Sequence, residues 1–467
     1  ITYVIIVSSL IVSTILSIFY INNYDSYQLD GITHIMLKEE TYYHWFNAAL
    51  IIEQIKDGGS FFTAGEEMFT KALPQRLVVF YSYILNFDII DNWKNNKIAL
   101  GGKFPFLFSQ SLIYYLSVFI FFKQISKLFD DNITIYTIFF LCLEPTILQY
   151  HSSFWTESFY FSIQLILLSL ILTPSEEQKK YLIIGTLLGI LFIQRSAGIF
   201  YIFIVIFYYF FTIEKSKYKK ISLVILSYLF VCLLLGFHNY KRAGVFYVMP
   251  TEGKFAMYKY FAKNILVDAN NSNLTEVNKS EVEKSLIWIK KNLKDLNYED
   301  FANINSPYEI GLNINDEKLR IKFYGYLNKR SYKILLDHPL ITIKSIINGF
   351  VHFSVLNPFF VYYDYEYFKD YSSSIIGDFV YSDKHKDLIP IRIFYTSFIY
   401  LICFIGFINC VKKNLKLSIL LTASVLYYYI ILGWYGKTRL FTPCLIYLSI
   451  FFGYGLSFIL NKLRIYK

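Results

Sequence analysis

Runs of predominantly apolar residues, many of them close to twenty residues long, recur from one end of the chain to the other. A helix of about 20 apolar residues, rising ~1.5 Å per residue, crosses the ~30 Å hydrocarbon core of a bilayer. The pattern predicts an all-α polytopic membrane protein with about ten transmembrane helices and two large external loops containing amphipathic helices. The first run has no small-residue cleavage site, so we expect a retained helix rather than a signal peptide. The predicted helices cover 1–21, 106–122, 132–149, 156–173, 181–194, 198–213, 221–237, 391–411, 416–434 and 440–461.

The composition favours the same class. Of the 467 residues, 55% are hydrophobic and 17% are charged, against about 25% charged residues in typical soluble domains. The mean hydropathy is +0.40. All five cysteines lie inside apolar runs, a position typical of small core residues rather than of a disulfide framework. No cluster of His, Asp and Glu has the spacing of metal ligands, so we expect neither a metal nor a cofactor.

Lysine-rich clusters predict the topology. The formal net charge is +10, and the clusters within 174–180, 214–220 and 411–416 each adjoin an apolar run. The positive-inside rule assigns such clusters to the cytoplasmic side, which leaves the polar segments 22–105 and 238–390 outside. Short clusters that always border a membrane segment do not indicate nucleic-acid binding.

This topology divides the chain into three parts. Residues 1–237 form an N-terminal transmembrane module that includes the first external loop, 238–390 form a large external loop or subdomain, and 391–467 form the C-terminal transmembrane helices. Segment 338–360 is apolar enough to enter the membrane. If it crossed, the basic cluster at 411–416 would lie outside, so we expect an interfacial or re-entrant segment.

Arg195 lies in the middle of a long apolar run, although an arginine at the bilayer centre costs roughly 2.5–3.5 kcal/mol. Basic clusters at both ends of 181–213 favour a hairpin over a single span. Its arms reach only about 20–24 Å at ~1.5 Å per residue, so Arg195 is expected at the recessed outer tip. An ionisable residue at that depth indicates a functional site, and the alternative is an arginine that snorkels to the interface.

Acidic residues provide candidate catalytic groups on the predicted outer face. Glu39 and Glu40 precede an amphipathic pattern in the first external loop, and Glu157 begins a later helix. Carboxylates near a membrane surface can act as general bases, although acidic residues also favour a first helical turn for electrostatic reasons. His151, close to Glu157, is more typical of an interfacial histidine than of a catalyst.

Three further cations lie on the predicted outer side, where the positive-inside rule does not expect them. Lys437 and Arg439 precede the last apolar run, and Arg242 follows another. Cations gathered near the outer membrane surface need an anionic partner, and a lipid-linked phosphate provides one at that depth. Arginine binds phosphate through two parallel hydrogen bonds, so we predict a phosphate site.

The order of the motifs resembles the GT-C superfamily of integral membrane glycosyltransferases, in particular the bacterial relatives of protein mannosyltransferases and lipid A aminoarabinose transferases. An acidic pair comes before "YYHWFNAAL". It is followed by a Pro-marked helix in "PQRLVVFYSYILNF", by "EPTILQYHSSFWTESFYF", and by a Gly-rich helix that ends in Arg, "GTLLGILFIQRSAG". Then come "FHNYKRAG", "DHPLITIKSIINGF" and "GKTRLFTPCLIYLSIFFGYGL". The resemblance covers most of the chain.

The resemblance implies roles for individual residues. In such enzymes a polyprenyl-phosphate sugar is the donor, an acidic residue of the first external loop is the base, and arginines hold the donor phosphate. Glu39 or Glu40 is then the base, Glu157 the second acidic position, and Arg195 and Arg439 the phosphate ligands. The superfamily usually has Asp at the first position, so the choice between Glu39 and Glu40 stays open.

The sequence therefore predicts a glycosyltransferase of the bacterial cytoplasmic membrane whose active site faces outward. The sugar passes from a polyprenyl-phosphate donor to a hydroxyl of a lipid, glycan or protein acceptor. An O-antigen-type polymerase is the alternative; it shares the large external loop and external arginines, typically lacks the acidic first loop, and consumes a diphosphate-linked oligosaccharide. A lipid-linked glycan transporter fits less well, because it needs two similar halves or polar residues along several spans.

Overall fold

The computed structural model is helical, with no strand among the residues that it describes. Those residues are 1–26, 48, 50–60, 72–85, 100–151, 157–173, 175–248, 255, 257–293, 295–296, 301, 304–314, 316–356, 388–433 and 438–465.

Helices lie in every range that the apolar pattern predicts. The N-terminal part contains α1 (Thr2–Ser26), α2 (Ala72–Leu85), α3 (Leu100–Ile125), α4 (Asp131–Leu143), α5 (Pro145–His151), α6 (Glu157–Leu172), α7 (Gln178–Gln194), a 3-10 turn (Ser196–Gly198), α8 (Tyr201–Thr212) and α9 (Lys217–Ala243). The middle part contains α10 (Lys263–Asn270), α11 (Leu274–Asn292), α12 (Pro307–Leu312), α13 (Glu317–Asp337) and α14 (Pro339–Ser354). The C-terminal part contains α15 (Leu388–Lys413), α16 (Leu415–Leu432) and α17 (Thr438–Ile465).

Five of the described helices are long and apolar enough to cross a membrane, in α3, α9, α15, α16 and α17. Shorter apolar helices occur at Thr2–Ile18, Asp131–Leu143, Glu157–Leu172 and Ser196–Thr212. The chain is thus an integral membrane protein, and the predicted total of about ten crossings stays a prediction.

Two ion pairs each join polar residues of different turns of the bundle. Lys413, at the end of α15, donates to Asp130 before α4 at 3.1 Å, and Lys220 donates to Glu176 at 2.9 Å. Consecutive antiparallel helices bring alternate turns to the same end of a bundle. These contacts therefore fit the topology that the basic clusters predict.

Two glycines let α7 lie directly on α9. A Cβ atom at Gly185 would lie 2.2 Å from the carbonyl oxygen of Val224, and one at Gly189 would lie 2.5 Å from the Cβ of Val231. Small residues four apart permit such close approach where lipid offers no hydrophobic force between helices. The glycines of the Gly-rich motif therefore fix the position of α7, and with it the position of Arg195 at its end.

A second hydrophobic core lies apart from the helix bundle in the middle of the sequence. Arg330 on α13 holds Glu281 on α11 through two hydrogen bonds of 2.9 and 2.7 Å, and Lys284 adds a third at 2.7 Å. This core joins the helices of the middle part, each of which has only a small apolar surface. Its buried members include Phe255, Tyr258, Ile265, Val282, Ile289, Phe323, Leu327 and Ile334.

Within segment 338–360, residues Pro339–Ser354 form α14, which leaves α13 at an angle of 105°. Phe350 packs on Gly433 at the end of α16, while Leu340, Ile347 and Val351 are exposed. An exposed apolar stripe at helical spacing suits a helix that touches the membrane. That the segment is interfacial or re-entrant stays a prediction.

Candidate active site

The sharpest feature of the bundle is a buried ion pair between residues 38 positions apart. Arg195 Nη1 donates to Glu157 Oε1 at 2.9 Å. The Glu157 side chain is fully buried and that of Arg195 is 10% exposed. The pair explains why an arginine can lie within so apolar a run, because an opposite charge at hydrogen-bond distance offsets much of the cost of removing both charges from water.

Two helix ends produce this geometry. Helix α7 stops at Gln194, and Arg195 adopts an extended backbone (φ −148°, ψ 131°) while its N–H still donates to the carbonyl of Leu191 at 3.0 Å. The 3-10 turn then reverses the chain into α8. Glu157 is the first residue of α6. The helix dipole favours acidic residues at a helix start, so the first turn of α6 is also an electrostatically favourable position for the Glu157 carboxylate.

The guanidinium of Arg195 keeps capacity for a further anion. Its Cζ lies 5.8 Å from the ring centroid of Tyr160, within the range of a cation–π contact. A guanidinium has five N–H donors, and within the described part of the chain one of them is seen to donate, to Glu157. Donors that are not seen to be used within the described residues can bind a further anion, and a phosphate or a carboxylate can accept two of them in parallel.

The other predicted site residues fall wholly or partly outside the described residues. Glu39, Glu40 and Lys437 lie outside them altogether. Arg242 lies near the end of α9 and Arg439 near the start of α17, but their side chains are not among those described. Of the predicted site residues, the structure therefore brings Glu157 and Arg195 together and does not test the rest. No three His, Cys, Asp or Glu side chains of the described residues are grouped so as to hold a metal ion.

Glu144 is a buried acid that the sequence reasoning overlooked. It lies at the break between α4 and α5, where its carboxylate accepts hydrogen bonds from the Thr146 hydroxyl and the Ile147 N–H, both at 2.8 Å, and from Tyr395 at 3.0 Å. The dipeptide Glu-Pro signals this break, because a residue before proline avoids the helical conformation. The contact with Ile147 is that of a helix N-cap, so Glu144 has a structural role.

His151 is buried rather than interfacial. Its ring stacks on Tyr114 with centroids 3.6 Å apart, and its Nδ1 shares a hydrogen bond of 3.0 Å with the Ser158 hydroxyl. Gln110 donates to the carbonyl oxygen of His151 at 3.1 Å. These contacts join the end of α5 to the start of α6, one residue beyond Glu157, so His151 helps to hold the helix that carries the acid.

Solved structures of low sequence identity resemble this chain. No protein-family model and no curated protein matches the chain. Two solved structures that resemble it are the Archaeoglobus fulgidus oligosaccharyltransferase AglB in complex with an inhibitory peptide and a dolichol-phosphate, and an apo Archaeoglobus fulgidus oligosaccharyltransferase. Identities are 12% and 13%, and each comparison has a TM-score of 0.46 and covers 99% of this chain. The chain spans about half of the length of those proteins, 51% in each case. These neighbours have the GT-C fold, the superfamily that the sequence resembles.

Proposed function

We propose that this protein transfers a sugar from a polyprenyl-phosphate-linked donor to an acceptor hydroxyl at the outer face of a bacterial cytoplasmic membrane. The observation that carries the proposal is the buried pair of Arg195 and Glu157 at the ends of two short helices. A cation that is mostly removed from water, lies at membrane depth and has donors without a partner among the described residues suits the phosphate of a lipid carrier. A fully water-soluble substrate would not need its phosphate site there.

The basic clusters and the paired turns of the bundle support an outward-facing orientation. With about ten crossings and the basic turns inside, the helix ends that carry Arg195 and Glu157 face outward. Lys437, before α17, Arg439, near the start of α17, and Arg242, near the end of α9, then lie at the same face and complete a cationic site around the phosphate. Segments 22–105 and 238–390 cover this face and form the acceptor side.

The chemistry balances without a further reactant. A first-loop carboxylate, Glu39 or Glu40, takes the proton of the acceptor hydroxyl as its oxygen attacks the anomeric carbon. A bond forms between that oxygen and the anomeric carbon, while the bond from the anomeric carbon to the phosphate oxygen breaks. The phosphate leaves with the electron pair, and arginines in a site of low dielectric stabilise the charge that it gains. Glu157 orients the acceptor and holds Arg195 in place.

Donor binding by arginine-to-lysine variants tests the proposal. Lysine keeps the charge but loses the planar fork that matches phosphate, so Arg195→Lys and Arg439→Lys are expected to weaken binding of a polyprenyl-phosphate sugar by about tenfold or more. Arg464→Lys, at the opposite end of α17 from Arg439, is the matched control and should bind as the parent does. If all three variants bind like the parent, the phosphate site is wrong. Turnover with a diphosphate-linked oligosaccharide but not with the monophosphate donor would instead favour the polymerase.

A further inference from the structure

A cluster of hydrogen-bonded tyrosines lies in the bundle around the Arg195–Glu157 pair. We call it the tyrosine cluster; its members come from α6, α8, α16 and α17, and all are buried. Polar groups inside a membrane bundle hydrogen-bond to neighbouring helices and so define which surfaces meet. The tyrosine cluster consists of Tyr160, Tyr201, Tyr427, Tyr428 and Tyr447, together with Gln164 and Ser424.

Tyr427 on α16 holds the turn that carries Arg195. Its hydroxyl donates to the carbonyl oxygen of Ala197 at 2.6 Å and accepts the N–H of Phe200 at 3.0 Å. Backbone groups just past a helix end lack intrahelical partners and need others when they are buried. This hydroxyl, from a helix more than 220 residues away in sequence, therefore helps to fix the backbone on the C-terminal side of Arg195. Tyr228 on α9 adds a hydrogen bond of 2.6 Å to the carbonyl of Ile199 in the same turn.

Tyr428, the next residue, holds the helix that carries Glu157. Its hydroxyl shares a hydrogen bond of 2.7 Å with Tyr160 and accepts one of 3.0 Å from Gln164. Tyr160 lies one turn after Glu157 on α6, and its ring faces the guanidinium of Arg195. Neighbouring residues on one helix point to different sides. Tyr427 therefore reaches the turn after Arg195, while Tyr428 reaches α6, which begins with Glu157.

We infer that Tyr427 and Tyr428 are positioning residues that hold Arg195 in the orientation that binds the donor phosphate. The inference rests on the proposed function and extends it to two residues that do not touch the donor. A guanidinium binds phosphate through two parallel hydrogen bonds, so its affinity depends on orientation as well as on charge. Loss of either hydroxyl leaves the charge of Arg195 in place. Loss of the Tyr427 hydroxyl loosens the backbone beside Arg195, and loss of the Tyr428 hydroxyl loosens the Tyr160 ring that faces the guanidinium.

Tyrosine-to-phenylalanine variants separate positioning from general stability. Tyr427→Phe and Tyr428→Phe are each expected to weaken binding of farnesyl phosphate, a short polyprenyl monophosphate, by about five- to tenfold, the effect of one ordinary hydrogen bond. Tyr181→Phe is the matched control, because Tyr181 lies at the opposite end of α7 and donates in the same way to the carbonyl of Ser175 at 2.9 Å. It should lower the unfolding midpoint by a similar amount and leave binding unchanged.

The full-length protein in nanodiscs is used for both binding and thermal unfolding. Equal weakening in Tyr181→Phe, or parental affinity in both Tyr427→Phe and Tyr428→Phe, overturns the inference. Hydrogen exchange at the Phe200 amide gives a second readout that does not require a ligand, and it should be faster in Tyr427→Phe. If the parent does not bind farnesyl phosphate, the proposed donor is wrong, and so is this extension of it. In that case exchange at Phe200 still shows whether the tyrosine holds the turn.

Discussion

Neutralising Glu157 is the most direct perturbation of the candidate site. In Glu157→Gln the shape is kept and the carboxylate charge is lost, while Arg195 stays buried in the bundle. Two unit charges about 4 Å apart attract by about 4 kcal/mol at an effective dielectric constant of 20. The amide oxygen of glutamine can still accept a neutral hydrogen bond, which retains about 1 kcal/mol. We therefore expect the free energy of unfolding to fall by about 3 kcal/mol, near the lower end of the range for broken buried pairs.

A double-mutant cycle measures this interaction. The free energy of unfolding is determined in mixed detergent micelles for the parent, Glu157→Gln, Arg195→Gln and the double variant. Because the double variant leaves neither charge unpaired, it should recover about 2 kcal/mol relative to the sum of the single losses, within the range known for coupled neighbours.

Asp130→Asn provides the control for the cycle. Asp130 pairs with Lys413 at 3.1 Å, but both side chains are exposed, so its loss should cost at most about 1 kcal/mol. Additive losses in the Glu157 and Arg195 cycle would refute the reasoning, because they would show that the two charges do not stabilise each other.

Three further predictions concern parts of the molecule outside this pair. Glu39→Gln or Glu40→Gln should slow single-turnover transfer by about 10²-fold with donor binding kept, and near-parental rates in both would exclude the first loop as the source of the base. Burial raises the pKa of Glu281, but hydrogen bonds from its two cationic neighbours outweigh this and lower the pKa below its ordinary value. Glu281→Gln should therefore destabilise by about 3 kcal/mol at pH 7. The difference from the parent should shrink as the pH falls below about 4, where Glu281 of the unfolded chain takes up a proton, and it should be lost once the pH passes through the lowered pKa of the folded protein; a pH-independent difference contradicts the ion pair. Because the native cysteines are buried, a membrane-impermeant thiol reagent in intact cells should label Lys279→Cys and not Ser216→Cys, and the reverse result would invert the topology.

The helices of the bundle could be predicted from the sequence because their determinants are local. An apolar run of suitable length forms a helix wherever a bilayer surrounds it, since only internal hydrogen bonds can satisfy its backbone there. The same local logic placed a chain reversal after Arg195, where basic clusters flank both arms of a short hairpin. It also drew attention to Arg195 and Glu157 separately, since each is an ionisable residue beside an apolar run.

Their partnership depends on tertiary structure. Nothing near Arg195 in sequence is acidic, and the contact with Glu157 exists because α6 and α7 pack side by side with their ends at the same depth. The position of α7 depends in turn on its close approach to α9 at Gly185 and Gly189, and hydroxyl groups from α16 hold α6 and the turn after α7. Such contacts join residues hundreds of positions apart, and their partners follow from how surfaces fit rather than from any periodicity along the chain. Local patterns therefore determine where each helix runs, and the packing between helices determines which charges meet and form a site.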